Sequence, residues 1–425
     1  MMDLLKKIAP LNRTLACKAT DEALSILIDY LPGSKIEGYK TSSRVWSWDI
    51  PKRWELTRAT IRRKSGEILV DSDWHHLHVM NYSIPFSGIV THSELMAHIR
   101  TSKERPEAIP FHFNFYEEKW GFCVPDVWIN KFQDDEYLVE IDSHLEDGMF
   151  NILSKFLPGE LEETFILCAN ICHPTQANDS LTGLVAAVEI IKNLEQRTQR
   201  KYSYLLLVVP ETIGSVAYLA NHPEVIEVSV GAFFSEMLGT SGNLVGQKSR
   251  KGNTYWDKLL ELALAESGLN YKTVPFMKSA SNDEKVLDSP GVDIPTFSLT
   301  RYPFAEYHTS DDNVDLINEE KIRESIKVLQ RVIDLAEEDY TPVLNQPGPI
   351  FLSGNGLFPD WRANPELMPY WNSFIEVMYS LDGNCSLVNL ASDKAISLSH
   401  LQYWLDAFES KGLLNKKPYY LRRNV

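Results

Sequence analysis

In the second half of the chain, continuous apolar runs alternate with stretches of helical period. Residues 137–141, 164–171, 204–209, 228–234 and 295–299 are nearly unbroken apolar runs of strand length. Residues 184–194 and 319–339 place their apolar side chains at helical spacing. Apolar strands alternating with helices predict an α/β fold with a largely parallel sheet covered on both faces. A capped amphipathic helix is expected at residues 20–31, ended by Pro32-Gly33.

The texture differs elsewhere. Between residues 45 and 137, short alternating segments rich in Trp, His, Val and Ile are separated by turn residues, which predicts a mainly β module. Residues 340–359 hold four prolines and three glycines and read as a linker. Beyond them, a helix at 368–381, a helix pair at 387–391 and 397–411, and a short tail outline a winged helix. The expected organisation is an α/β domain over 1–44 and 138–345, a β-rich insertion over 45–137, and a linker with a winged-helix domain over 346–425.

Composition narrows the function classes. A chain of 425 residues is expected to form two or three domains. Its net charge of −16 argues against general nucleic-acid binding. Residues 356–425 carry seven Lys/Arg against seven Asp/Glu, which favours a structural or protein-contact role for that segment over DNA reading. Trp361, Tyr370, Trp371 and Trp404 suit burial in such a contact. No apolar run approaches the ~20 residues of a membrane span, and no signal-peptide pattern opens the chain. The five cysteines are scattered and complete no zinc-finger spacing. A reduced, cytoplasmic protein with a small-molecule substrate is the simplest expectation. Oligomeric state stays open, a homo-oligomer included.

The chemistry-bearing residues sit at strand ends. His173 and Asp179 lie in Cys-His-Pro-Thr-Gln-Ala-Asn-Asp-Ser-Leu-Thr-Gly (172–183), between an apolar strand and a helix. Ligands collect at the C-terminal ends of strands in open α/β sheets, and a neutral imidazole with a carboxylate suits catalytic zinc. Glu211 follows the next strand in Val-Val-Pro-Glu-Thr-Ile-Gly-Ser (208–215) and is placed to act as a general base. Glu236 ends the following strand in Phe-Phe-Ser-Glu-Met-Leu-Gly (233–239), where a carboxylate is costly to bury alone. His308 follows the last strand in Glu-Tyr-His-Thr-Ser-Asp-Asp-Asn (306–313), and its two acids could orient the ring or cap the next turn. Each residue has a plainer reading: a helix-capping Asp, an exposed helix-start Glu, a salt-bridged Glu. All five at strand ends read together as one metal site.

The order of these motifs resembles the zinc aminopeptidase clan, which includes bacterial leucyl aminopeptidases and glutaminyl cyclases on a phosphorylase/hydrolase-like sheet. More closely it resembles aminopeptidase-like proteins of bacterial polysaccharide-biosynthesis loci, with a β-rich insertion and a C-terminal winged helix. Inserted segments such as Leu-His-Val-Met-Asn-Tyr-Ser (77–83) and Trp-Gly-Phe-Cys (120–123) belong to that likeness. The resemblance implies zinc ligands at His173, Asp179, Glu236 and His308, with Asp179 bridging in two-metal members, and Glu211 as general base. It implies hydrolysis of an amide or peptide bond in a peptide-like substrate. The alternatives are an amino-sugar or peptide-like amidohydrolase and a non-catalytic metal-binding scaffold. Two-metal members carry consecutive acids where this chain has Glu211-Thr212, so one zinc is expected rather than two.

Weaker candidates remain. His75, His76 and His78 fall in four residues of an expected strand, without an acid or Cys partner. Asp283 and Glu284 are candidates to line the substrate pocket, and Arg250 and Arg301 to hold a substrate carboxylate. The β-rich insertion is expected to fold over the metal cleft and limit substrate size.

Overall fold

The computed structural model describes residues 1–358, 360 and 362–421. Eight strands form the central sheet: β1 (Lys35–Lys40), β2 (Met149–Leu157), β3 (Thr164–Asn170), β4 (Ser203–Val209), β5 (Ser229–Ser235), β6 (Leu244–Gln247), β7 (Tyr271–Val274) and β8 (Thr296–Thr300). Their spatial order is β1-β2-β4-β3-β5-β8-β6-β7. The centre, β4-β3-β5-β8, is parallel; β2 joins it antiparallel with β1 antiparallel to β2 at the edge, and the β6-β7 pair, parallel within itself, joins β8 antiparallel. The fold class is therefore the expected mostly parallel α/β sheet.

Alternation along the central strands explains the two covered faces. Phe165, Leu167 and Ala169 join one core with α1 (Met2–Ile8), α2 (Lys18–Tyr30), α3 (Leu181–Glu195), α5 (Tyr255–Glu266) and α6 (Glu319–Glu338). Ile166 and Cys168 join a second core with α4 (Ile213–Asn221) on the opposite face. Strand side chains point alternately to the two faces, so a fully apolar strand fills both cores.

The second core also takes in an antiparallel four-stranded sheet. Its strands Ile68–Asp71, Arg53–Arg63, Glu136–Glu146 and Phe86–Thr91 pair in that order. The apolar run at 137–141, expected to open the parallel sheet, belongs here instead. Glu136–Glu146 alternates buried and exposed residues, the pattern of a sheet with one face on a core. β1 and β2 lack a continuous apolar run and were not apparent as strands. β1, at the sheet edge, is largely exposed, while β2 beside it is mostly buried.

The expected linker begins as a strand. Tyr340–Leu344 pairs antiparallel with Leu414–Pro418, because Pro342 can sit on an edge strand where its missing N–H is not needed. Helices α7 (Leu387–Asp393) and α8 (Leu398–Ser410) complete the C-terminal segment with the helix Met368–Met378. Trp404 packs its ring 4.4 Å from Phe374. The segment rests on the α/β body: Lys258 Nζ donates to Asn389 Oδ1 at 2.9 Å and pairs with Asp393 at 2.7 Å, and Val388 N donates to Asp339 at 3.1 Å. Trp361 and the side chain of Tyr370 lie outside the described residues. Among the described residues, no helix is long and apolar enough to cross a membrane.

Candidate metal centre

The C-terminal ends of β3, β4, β5 and β8 deliver His173, Glu211, Glu236 and His308 to one place, with Asp179 just ahead of α3. Four residues in these loops adopt left-handed backbone: Thr175 (φ 55°), Thr212 (φ 62°), Met237 (φ 52°) and His308 (φ 54°). Non-glycine residues with positive φ are uncommon and cluster where a site dictates the geometry. Gly183 lets α3 lie against the end of β5. A Cβ there would stand 1.8 Å from Ser235 O and 2.7 Å from Glu236 Cα.

One ligand atom each from His173, His308 and the Asp179 carboxylate lies within 4.8 Å of the other two. His308 Nε2 is 3.1 Å from Asp179 Oδ2, and His173 Nε2 is 3.9 Å from the same oxygen. Glu211 Oε2 stands 3.4 Å from His173 Nε2. Asp179 Oδ2 and His308 Nε2 are both buried, and neither has a hydrogen-bond partner beyond their own 3.1 Å approach. Buried polar atoms are normally paired. Two imidazoles and a carboxylate aimed at a common point fit a zinc ion, whose catalytic sites use that donor set.

The electrostatics agree. Burial pushes the His173 imidazole down to about 4, so it is neutral and free to ligate at physiological pH. Burial opposes the charge on Asp179, but the neighbouring His173, His308 and Arg13 hold its carboxyl below the usual range. Burial, then repulsion from Asp283 and Asp179, pushes Glu211 up to about 7. Glu236 is raised by burial and by the charges of Asp179, Glu284 and Glu211. Such crowding of acids favours a bound cation.

Glu236 lies outside the three-atom group. Its Oε2 accepts a hydrogen bond from Asn282 Nδ2 at 2.5 Å. Cys172 forms a second close group with His173 and Glu211. Burial and the neighbouring Glu211 charge push its thiol well above the usual range.

Residues 2–339 match the family described as a domain of unknown function, DUF4910. The chain belongs to this family. Over 423 residues it is 30% identical to a Clostridium acetobutylicum protein, covering 97% of this chain and 95% of the relative. That relative's name provisionally assigns it to polysaccharide biosynthesis and gives it an aminopeptidase-like domain. A solved C. acetobutylicum structure, provisionally described as a peptidase, superimposes with a TM-score of 0.86 at 29% identity, covering 98% of this chain and 95% of that one. A zinc aminopeptidase from Bacillus subtilis shares the fold at 14% identity, with a TM-score of 0.58 over 78% of this chain and 94% of that one. The DUF4910 chain thus has an aminopeptidase-like fold.

Several residues of this DUF4910 site had no visible sequence signal. Arg13 is fully buried and donates to Ile171 O and Gln176 O, both at 3.0 Å, bracing the His173 loop from the N-terminal segment. Phe111, from the β-rich insertion, sets its ring edge-on to His308 at 5.2 Å and to His173 at 5.7 Å. The insertion therefore lies on the His173 side of the sheet. A long sequence separation hid both residues.

The flanking acids act differently from either expectation. Asp311 pairs with Arg105 of the insertion. Asp312 accepts backbone N–H groups from Ala177 (3.2 Å), Asn178 (2.6 Å) and Asp179 (2.9 Å). Neither orients the His308 ring; Tyr307 stacks on it at 3.9 Å. Asp283 and Glu284 are buried rather than lining a pocket. Asp283 accepts from Asn170 Nδ2 (2.6 Å), Thr212 N (3.1 Å) and Ser215, and so holds the Glu211 turn. Glu284 accepts from Gln247 Nε2 at 2.7 Å. Arg301 is buried against Glu324 at 2.8 Å, and Arg250 pairs with Asp288 and Asp293. His76–His78 is a 3-10 turn, not a strand. His78 Nδ1 donates to Cys123 O at 2.8 Å and stacks on Trp128.

Proposed function

We propose that the chain is a zinc-dependent hydrolase of aminopeptidase type that cuts an amide or peptide bond. The observation that carries this reading is the close group of ligand atoms from His173, Asp179 and His308, in which Asp179 Oδ2 and His308 Nε2 face each other at 3.1 Å with no other hydrogen-bond partner.

His173, His308 and Asp179 would hold the ion, with Glu236 near enough to feel the Asp179 charge as a further acid. When bound, zinc supplies polarisation of an amide carbonyl and lets water act as a nucleophile near neutral pH. Glu211, 3.4 Å from His173, would accept a proton from the attacking water and pass it to the leaving amine. Its carboxyl, near neutrality, is suited to both transfers. Tyr307 and Phe111 pack the His308 ring on two sides and fix its direction. Asp312 fixes the Asp179 backbone, so the ligands stay preorganised.

The amide belongs to a small peptide-like or amino-sugar group. The support is the polysaccharide-biosynthesis assignment of the 30% identical relative. The C-terminal segment serves as a packing domain rather than a nucleic-acid reader, since its charges balance.

The test is a panel of aminoacyl amides and N-acyl amino sugars, offered to protein stripped by chelation and then reloaded with zinc. Hydrolysis that disappears on stripping and returns with zinc is the expected result. Turnover unaffected by chelation contradicts the reading.

A further inference from the structure

Aromatic residues of the insertion form a row that starts beside the two histidines of the metal centre. Along residues 109–115 the rings of Phe111, Phe113 and Phe115 meet in succession, and Pro110 and Phe113 form isolated bridges to Thr309 and Asn81. Phe111 is 6% exposed beside the two histidines, and Phe113 is 46% exposed one step outward. Their ring centroids are 5.6 Å apart. Phe113 and Phe115 stack at 4.2 Å and 11°, and Phe115 meets Tyr82 edge-on at 5.4 Å. Beyond Phe115 opens a cavity of about 360 Å³ lined by Tyr82, Asn114, Phe115, Tyr116, Lys52 and Glu118 among others.

The backbone of this row is fixed at both ends. Phe111 N donates to His308 O at 2.8 Å, and Ser310 N donates to Ile109 O at 2.8 Å. Asn81 N donates to His112 O at 3.0 Å, and Asn114 N donates to Asn81 O at 2.8 Å. The metal loop and the aromatic row are therefore parts of one hydrogen-bonded strand system. A fixed row binds with little ordering cost. The three rings present apolar faces, with the charged Lys52 and Glu118 further along the cavity, so the row itself favours a flat apolar face.

We infer that Phe111, Phe113 and Phe115 form a shelf for a ring that the substrate carries next to the scissile bond. The ring is one with an apolar face, either an aromatic side chain or a pyranose. This deepens the reading of the metal centre and rests on it.

Hydroxamates bind catalytic zinc without being turned over and so separate the two claims. Affinities are measured calorimetrically on zinc-loaded protein for two pairs. Phenylalanine hydroxamate is compared with alanine hydroxamate, and serine hydroxamate carrying an O-linked glucose with plain serine hydroxamate. At least one ring-bearing probe is expected to bind about 3- to 10-fold tighter than its ring-free partner. The pair that shows the ratio identifies the ring. Phe113→Ala should abolish that ratio, while Phe156→Ala, on the distant β2 edge, should keep it. Equal affinities within both pairs, or a ratio that survives Phe113→Ala, overturns the shelf and leaves the metal centre standing. Failure of all four hydroxamates to bind overturns the metal reading and the shelf with it.

Discussion

Asp312 accepts the backbone N–H of Asp179 at 2.9 Å across 133 positions of sequence. Its other oxygen takes the N–H groups of Ala177 and Asn178. The His308 loop and the Asp179 loop are thereby one unit, and the direction of the Asp179 carboxylate is set by a residue that touches no ligand position. Burial pushes the Asp312 carboxyl up to about 7, so its charge depends on those three donors. Asp312→Asn leaves one acceptor oxygen and turns an amide N–H toward backbone donors. The variant should fold and lose zinc affinity by about 10- to 100-fold, the usual effect of removing a group that orients a ligand. Competition with a chelator measures it; unchanged affinity would show that the clamp is only structural.

Glu211 is the group expected to move protons. Glu211→Gln keeps the shape and the backbone contact to Cys172, but the amide cannot accept a proton. Zinc content and melting temperature should match the native protein, with hydrolysis reduced by about 10²–10⁴-fold. Native rates in this variant would remove Glu211 from the reaction.

Thr212 occupies the turn where two-metal relatives of this fold are expected to carry a second acid. Its backbone has φ 62°, and its N–H is held by Asp283 at 3.1 Å. A single zinc per chain is therefore expected by elemental analysis after exhaustive dialysis. Two retained equivalents would show that other groups, Glu236 first among them, complete a second site.

A pH effect on stability is expected away from the metal. His222 Nε2 contacts Glu37 at 2.8 Å, and Nδ1 contacts Glu224 at 2.9 Å. Burial opposes protonation of the ring, but hydrogen bonds to Glu224 and Glu37 outweigh it and raise the imidazole above its ordinary value. A raised folded-state pKa stabilises fully below the unfolded value of about 6.5. That stabilisation fades as pH rises through the folded value. His222→Gln should therefore cost about 0.5 kcal/mol more at pH 5.5 than at pH 9 in denaturant titrations, the scale of a partly exposed ion pair. An equal cost at both pH values would mean that the ring acts through packing on Tyr218 alone.

The central strands were legible because each of them fills two cores, leaving an unbroken apolar run such as Phe165–Ala169. The same property misassigned residues 137–141, whose apolar residues alternate across a one-sided sheet. The ligand residues were legible because strand ends are where an open sheet gathers chemistry, and His173, Glu211, Glu236 and His308 all sit there. What supports them was not. Arg13, Phe111 and Asp312 act through contacts that close only when distant segments meet, and no local pattern marks such a partner. The choice between Glu236 and His308 as nearest companion of His173 and Asp179 likewise depends on side-chain direction, which spacing does not fix.

The metal centre is tested most directly by diffraction at the zinc absorption edge, using crystals of zinc-loaded protein. A single anomalous peak is expected about 2.0–2.2 Å from His173 Nε2, His308 Nε2 and an Asp179 carboxylate oxygen. No peak among these three residues, or a peak held by Cys172 and Glu211 instead, would contradict it.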